Sequence, residues 1–179
     1  MAIKFVCFLR QSCAKFRRMM QEADIPRRAD LKESPPVFTQ REILVLQGLV
    51  DGLDWQEFDA KFGIKRIVLK ATKGSIAERF SPTGHVGGIY IAIIEAIDQD
   101  KLDTSNLPLE YAGQLNGLEI GFFAMMYKGK TASEVTESLG IEIREFPSYK
   151  NRICEKLRVG NFFAAIACMA RDNKGDDQL

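Results

Sequence analysis

The sequence predicts an all-α protein, an N-terminal helix followed by two successive units of four short helices. Three observations carry that prediction. Apolar residues recur at helical spacing in one segment after another, glycines and capping residues separate those segments, and the pattern returns at a constant offset of 77 residues. Of 179 residues, 46% are apolar and 27% charged, the balance of a globular chain long enough for one ordinary domain or two small ones.

The first element is an amphipathic helix from about Ile3 to Ala23. Phe5, Phe8, Leu9, Cys13, Phe16, Met19 and Met20 recur near helical spacing, with Arg10, Lys15, Arg17 and Arg18 between them. This helix is expected to pack on the adjoining unit, to dimerise the chain, or to lay a basic arm on phosphates. A linker containing Pro26, Pro35 and Pro36 completes residues 1–37.

Residues 38–98 form the first unit. Gln40 to Asp51 carries Ile43, Leu44, Leu46, Leu49 and Val50 on one face, and Gly52 stands after them as a helix stop. Asp54 with Glu57 three positions on has the spacing of a capping box, which opens a second helix to about Lys61. Gly63-Ile64 makes a tight turn into a third helix over residues 65–79. Residues 99–114 read as a flexible polar linker, residues 115–171 as the second unit, and residues 172–179 as a polar tail.

The second unit is read from the repeat. Glu42 matches Glu119, Gly52 Gly129, Glu57 Glu134, Gly63-Ile64 Gly140-Ile141, Lys73 Lys150 and Ile76 Ile153, all in one register. Apolar positions agree too, Leu46 with Phe123, Phe58 with Val135 and Leu69 with Phe146. Glycines aligned with glycines argue for two copies of one helix, glycine turn, helix arrangement.

These strings resemble the LuxR/GerE-type helix-turn-helix domain of bacterial transcriptional regulators. The resemblance runs through Phe38 to Phe80, with Thr39-Gln40-Arg41-Glu42 as its start, Gly52 as its helix-ending glycine, and Glu57, Lys70, Ile76 and Phe80 at later pattern positions. In Leu115 to Val159 the corresponding residues are Glu119, Gly129, Glu134, Ile153, Lys156, Leu157 and Val159. It implies two tandem four-helix units that contact promoter DNA through the third helix of each, in a bacterial or phage regulator. The family's base-reading positions map to Lys70, Ala71 and Gly74.

Composition of the third helix agrees with that implication. Residues 65–79 hold five basic side chains and one acid. With Ile64, Leu69, Ile76 and Phe80 on an inner face, Lys65, Arg66, Lys70, Thr72 and Lys73 are expected to point outward, where phosphates reward cations and base edges confer choice. Asp59, at a position the family keeps small, needs a cation, and Arg66 or Lys70 is expected to supply it. In the second copy Pro147 stands at the position of Lys70. Either its third helix begins near Pro147 and presents Ser148, Tyr149, Lys150, Asn151 and Arg152 to DNA, or this copy contacts protein instead.

The expected partner is therefore double-stranded DNA, with RNA polymerase or another transcription factor as the alternative, and a homodimer through the N-terminal helix left open. Formal charge of +1 offers no overall attraction to a polyanion. Residues 1–37 hold eight basic and four acidic side chains, residues 38–98 seven and eight, and residues 99–179 ten and twelve, so any basic surface is local. One histidine, His85, and four cysteines without CxxC spacing leave no evident metal site, and no P-loop, GxSxG or GxGxxG pattern points to an enzyme or a cofactor. No run of roughly 18 to 20 apolar residues is present. The chain is expected to be cytoplasmic, at the nucleoid, with reduced thiols.

Overall fold

The computed structural model describes residues 36–81, 86–108 and 115–176. The N-terminal helix expected over residues 3–23, and His85, lie outside them. The described residues form eight α-helices and no strand: α1 (Gln40–Val50), α2 (Trp55–Phe62), α3 (Arg66–Phe80), α4 (Val86–Asp98), α5 (Gly117–Tyr127), α6 (Ala132–Leu139), α7 (Phe146–Leu157) and α8 (Phe162–Asp176). A short 3-10 turn, Ile143–Glu145, precedes α7.

Shifting the bounds of α1 and α2 by 77 gives those of α5 and α6, and α3 shifted likewise spans the 3-10 turn plus α7. Local chemistry explains why these helices start and stop at equivalent places. Thr39, Asp54, Asn116 and Thr131 each accept a hydrogen bond from the backbone N–H three residues on, while Glu42, Glu57, Glu119 and Glu134 reach back to the cap N–H. Gly63 and Gly140 end α2 and α6 at φ of 65° and 64°, a left-handed conformation that costs glycine nothing.

The centre of the molecule belongs to α4 and α8. Helix α4 is apolar nearly all round, which suits burial on every side, and Ile89, Tyr90, Ala92, Ile93 and Ala96 are all buried. Ala164 through Ala170 of α8 are buried as well. The two helices pack on each other, α8 also touches α1, and α4 also touches α5. A Cβ on Gly87 of α4 would overlap the carbonyl of Gly129, just after α5, so bare backbone is what allows this approach. One continuous core results, running from Val45, Leu46 and Phe58 through Tyr90 and Ile93 to Phe122, Phe123, Ile153 and Ile166. The aromatics Phe122, Phe123 and Phe162 belong to it, and Phe163 packs against it.

The stretch expected to be a flexible linker is fastened as far as Pro108. The Gln47 amide donates to Asp103 O (3.1 Å) and accepts from Asp103 N (2.8 Å). The Arg171 guanidinium donates to the carbonyls of Thr104, Leu107 and Pro108, and Lys174 to those of Ile97 and Asp98. Both cations sit on α8, which runs on to Asp176. The expected polar tail is thus helical through Asp176, where Lys174 is anchored on the carbonyls at the end of α4.

Candidate nucleic-acid interface

Helix α3 comes after α2 across a three-residue turn. Gly63 reverses the chain, Ile64 is buried beneath it, and Lys65 is the extended residue that opens α3. Leu69, Ile76, Ala77 and Phe80 face the core, as the apolar pattern predicts. An ion pair on the buried carboxylate of Glu42 ties α3 to α1. Arg79, in the last turn of α3, donates to Glu42 in the first turn of α1 at 3.0 Å, and Glu42 also accepts from Thr39 N at 2.8 Å.

The same device recurs 77 residues on. Lys156 Nζ stands 2.7 Å from Glu119 Oε2, which accepts from Asn116 N at 2.9 Å. Burial alone would raise the Glu119 carboxyl, but hydrogen bonds from Lys156 and the Asn116 N–H, with the charges of Lys156 and Arg152, outweigh it and hold the group below the usual glutamate range. Sequence reasoning missed both pairs. Their signal was available, a basic residue at 79 and at 156 in register with the two capping glutamates.

On α3 the exposed positions are Arg66, Ile67, Lys70, Ala71, Gly74, Ser75 and Glu78, together with Arg79, which pairs with Glu42. They lie at helical spacing on one face. Among the described residues no ion pair engages Arg66, Lys70 or Lys73. Arg66 lies over the Trp55 ring at 5.9 Å. A Cβ added at Gly74 would meet nothing within 4 Å, so this position is a gap in the surface of the helix. The expectation for Asp59 is corrected. Its partner is Lys65, at 2.8 Å, so this carboxylate engages neither Arg66 nor Lys70.

Thr72 and Lys73, expected to point outward, are half-buried. Their counterparts, Tyr149 and Lys150, are turned in further. Tyr149 is buried and stacks on Phe122, with ring centroids 5.4 Å apart and planes 15° from parallel. Lys150 Nζ donates to the Tyr90 hydroxyl at 3.0 Å and lies 4.9 Å from the Phe162 ring centroid. Burial lowers its pKa and raises that of the Tyr90 hydroxyl, so the neutral phenol remains the acceptor. The helices packed beside these positions decide this inward turn. Positions 72, 73, 149 and 150 occupy the same side of the same helix in both copies.

Pro147 falls in the first turn of α7, where its missing N–H breaks no intrahelical bond. Helix α7 thus begins beside Pro147, but of the five residues expected to face outward with it Tyr149 is buried and Lys150 half-buried, while Ser148, Asn151 and Arg152 are exposed. Its exposed face repeats that of α3, with Ile143, Arg144, Pro147, Ser148, Asn151, Arg152 and Glu155 at the equivalent positions. Arg144 pairs with Glu142, and the Arg152 guanidinium caps the Tyr149 ring at 4.2 Å. Ser148 and Asn151 are exposed beside them, and Arg144 is absent from the sequence expectation.

No group of three or more potential metal ligands stands together among the described residues, where Cys154 and Cys168 carry free thiols. No helix among those residues is long and apolar enough to cross a membrane. No family model matches the chain, and no curated protein or solved structure matches it.

Proposed function

We propose that the chain is a DNA-binding transcriptional regulator built from two tandem four-helix units, residues 38–98 and 115–171 with their continuation to Asp176, each similar to a LuxR/GerE-type helix-turn-helix. The observation that carries this reading is the outward face of α3. A glycine turn leads into a helix whose exposed strip holds Arg66 and Lys70, unpaired by acids among the described residues, beside the small residues Ala71 and Gly74. A helix presented in this way suits a major groove. Cations at its edge meet phosphates, and small residues at its crest let the backbone approach base edges. Its mode of action is binding rather than catalysis, and it acts in the cytoplasm at the nucleoid.

Titration of the full chain against enriched promoter duplexes tests the reading. Affinity should fall steeply with added salt and by roughly tenfold on Lys70→Ala. Unchanged binding in the variant would remove α3 as the reading helix.

A second reading has its own observation. Ile67 is 78% exposed and Ile143 59% exposed, at the start of each outward face, and Trp55 is 47% exposed nearby. Apolar residues there fit a protein partner such as an RNA polymerase subunit or another transcription factor. Replacing Ile67 and Ile143 by serine while retaining Lys70 separates the two. Loss of regulation with DNA affinity intact would favour the protein-contact reading.

A further inference from the structure

The contacts between the two halves are reciprocal. Helix α4 packs on α8, α8 touches α1, and α4 touches α5. Exchanging the halves maps each of these contacts onto another that is present, which is the signature of an isologous, two-fold interface rather than a head-to-tail stack. At the level of whole elements the glycines after α1 and α5 follow the same exchange: Gly52 is approached by Asn161, just before α8, and Gly129 by Ile91 and Gly87 of α4. Two further attachments lock the arrangement. Lys150 on α7 donates to Tyr90 on α4, and the Asn161 amide donates to Val50 O at 3.4 Å.

Within that two-fold frame the outward faces are chemically unlike. Where α3 presents Lys70, Ala71 and Gly74, α7 presents Pro147, Ser148 and Asn151, with Arg152 where α3 has Ser75. In a major groove lysine favours the O6 and N7 acceptors of guanine, whereas the asparagine amide matches the N6 and N7 edge of adenine.

We infer that one chain, acting as an internal two-fold pair, recognises a non-palindromic duplex site made of two unlike half-sites, guanine-selecting under α3 and adenine-selecting under α7, at a single fixed spacing. This rests on the DNA-binding reading and adds the form of the target. Fastening of residues 98–108 by Gln47, Arg171 and Lys174 removes the slack that would let the halves adjust to other spacings.

The test is selection of the full chain on a random duplex pool, then titration of the recovered sites, of spacer variants, and of Lys70→Ala and Asn151→Ala. Both substituted residues are exposed, and thermal melting of each variant checks that the fold is retained. The expected result is a site with dissimilar halves bound by one chain per duplex. Lys70→Ala relaxes the guanine preference in one half, Asn151→Ala relaxes the adenine preference in the other, and insertion of about half a helical turn lowers affinity at least tenfold without recovery at a full turn. A palindrome bound by two chains, loss of both preferences with either substitution, or tolerance of inserted spacers overturns the inference and leaves DNA binding standing. A pool with no enriched sequence overturns the DNA-binding reading itself.

Discussion

Helices α3 and α7 hold the same register, the same ion pair to their first helix and the same outward positions, yet they spend their side chains differently. On α3 the residues at 72 and 73 are a threonine and a lysine, half-buried and without ring contacts among the described residues. On α7 the equivalents are Tyr149, stacked on Phe122, and Lys150, bonded to Tyr90 on α4. Helix α3 keeps Arg66 and Lys70 at the surface, and α7 uses Lys150 to hold the two halves together. A basic residue on one of these helices is therefore no guide to its use until its neighbours on adjoining helices are known.

The strongest way to break the comparison is to break the frame both helices share. Gly87→Ala pushes a Cβ into the Gly129 carbonyl, a backbone contact that a rotamer change cannot relieve. A loss of about 3 kcal/mol is expected in denaturant unfolding, with both halves affected together. Two separate transitions would show that α4 and α8 do not bind the halves into one cooperative unit.

Next comes the ion pair common to both helices. Glu119→Ala removes a cap and the buried partner of Lys156, and should cost about 2 kcal/mol in the same measurement. The sign of its pH dependence comes from the lowered carboxyl. An unfolded glutamate, with a pKa of about 4.3, binds protons more readily than the folded one, so the contribution is full at neutral pH and fades as pH falls from about 4.3 through the lower folded value. Glu119→Gln should flatten that part of the acid unfolding curve.

The sharpest test of divergence pairs Lys70→Ala with Lys150→Met. The first should reduce DNA affinity about tenfold with no measurable change in melting. The second should lower stability by about 1 kcal/mol, because the buried Tyr90 hydroxyl loses its donor, with little change in the salt dependence of DNA binding. An exchanged outcome, with Lys150 governing affinity and Lys70 stability, would invert the assignment of the two helices.

The smallest effect is a gain. Gly74→Ala places a methyl in open space on a helix interior and should stabilise the fold by up to about 1 kcal/mol. If α3 lies in a major groove, the same methyl should weaken DNA binding, so melting temperature and affinity would move in opposite directions.

Much of this architecture was legible in advance because it is local. A cap three residues before a glutamate, a glycine where the chain must take positive φ, and a repeating apolar face are satisfied within a few residues of chain, whatever surrounds them. The candidate site was legible only where register alone decides exposure, as at Lys70, Ala71 and Gly74. It was misread at Thr72, Lys73, Tyr149 and Lys150, because whether a side chain one step round the helix meets solvent depends on the helix packed beside it. The slack attributed to residues 98–108 was likewise an illusion of polar composition. The backbone of that stretch is held by Gln47, Arg171 and Lys174, which come from distant parts of the chain.

Local chemistry specified an all-helical chain, the capped starts and glycine stops of the first two helices of each copy, and a 77-residue period. Those properties rest on backbone conformations and hydrogen bonds that neighbouring residues satisfy among themselves. Tertiary structure alone decided that the two halves meet reciprocally through α4 and α8, and that Lys150 faces Tyr90 rather than solvent. Contacts between residues 60 or more apart in the chain leave no periodic trace in it, since their partners are brought together only by packing.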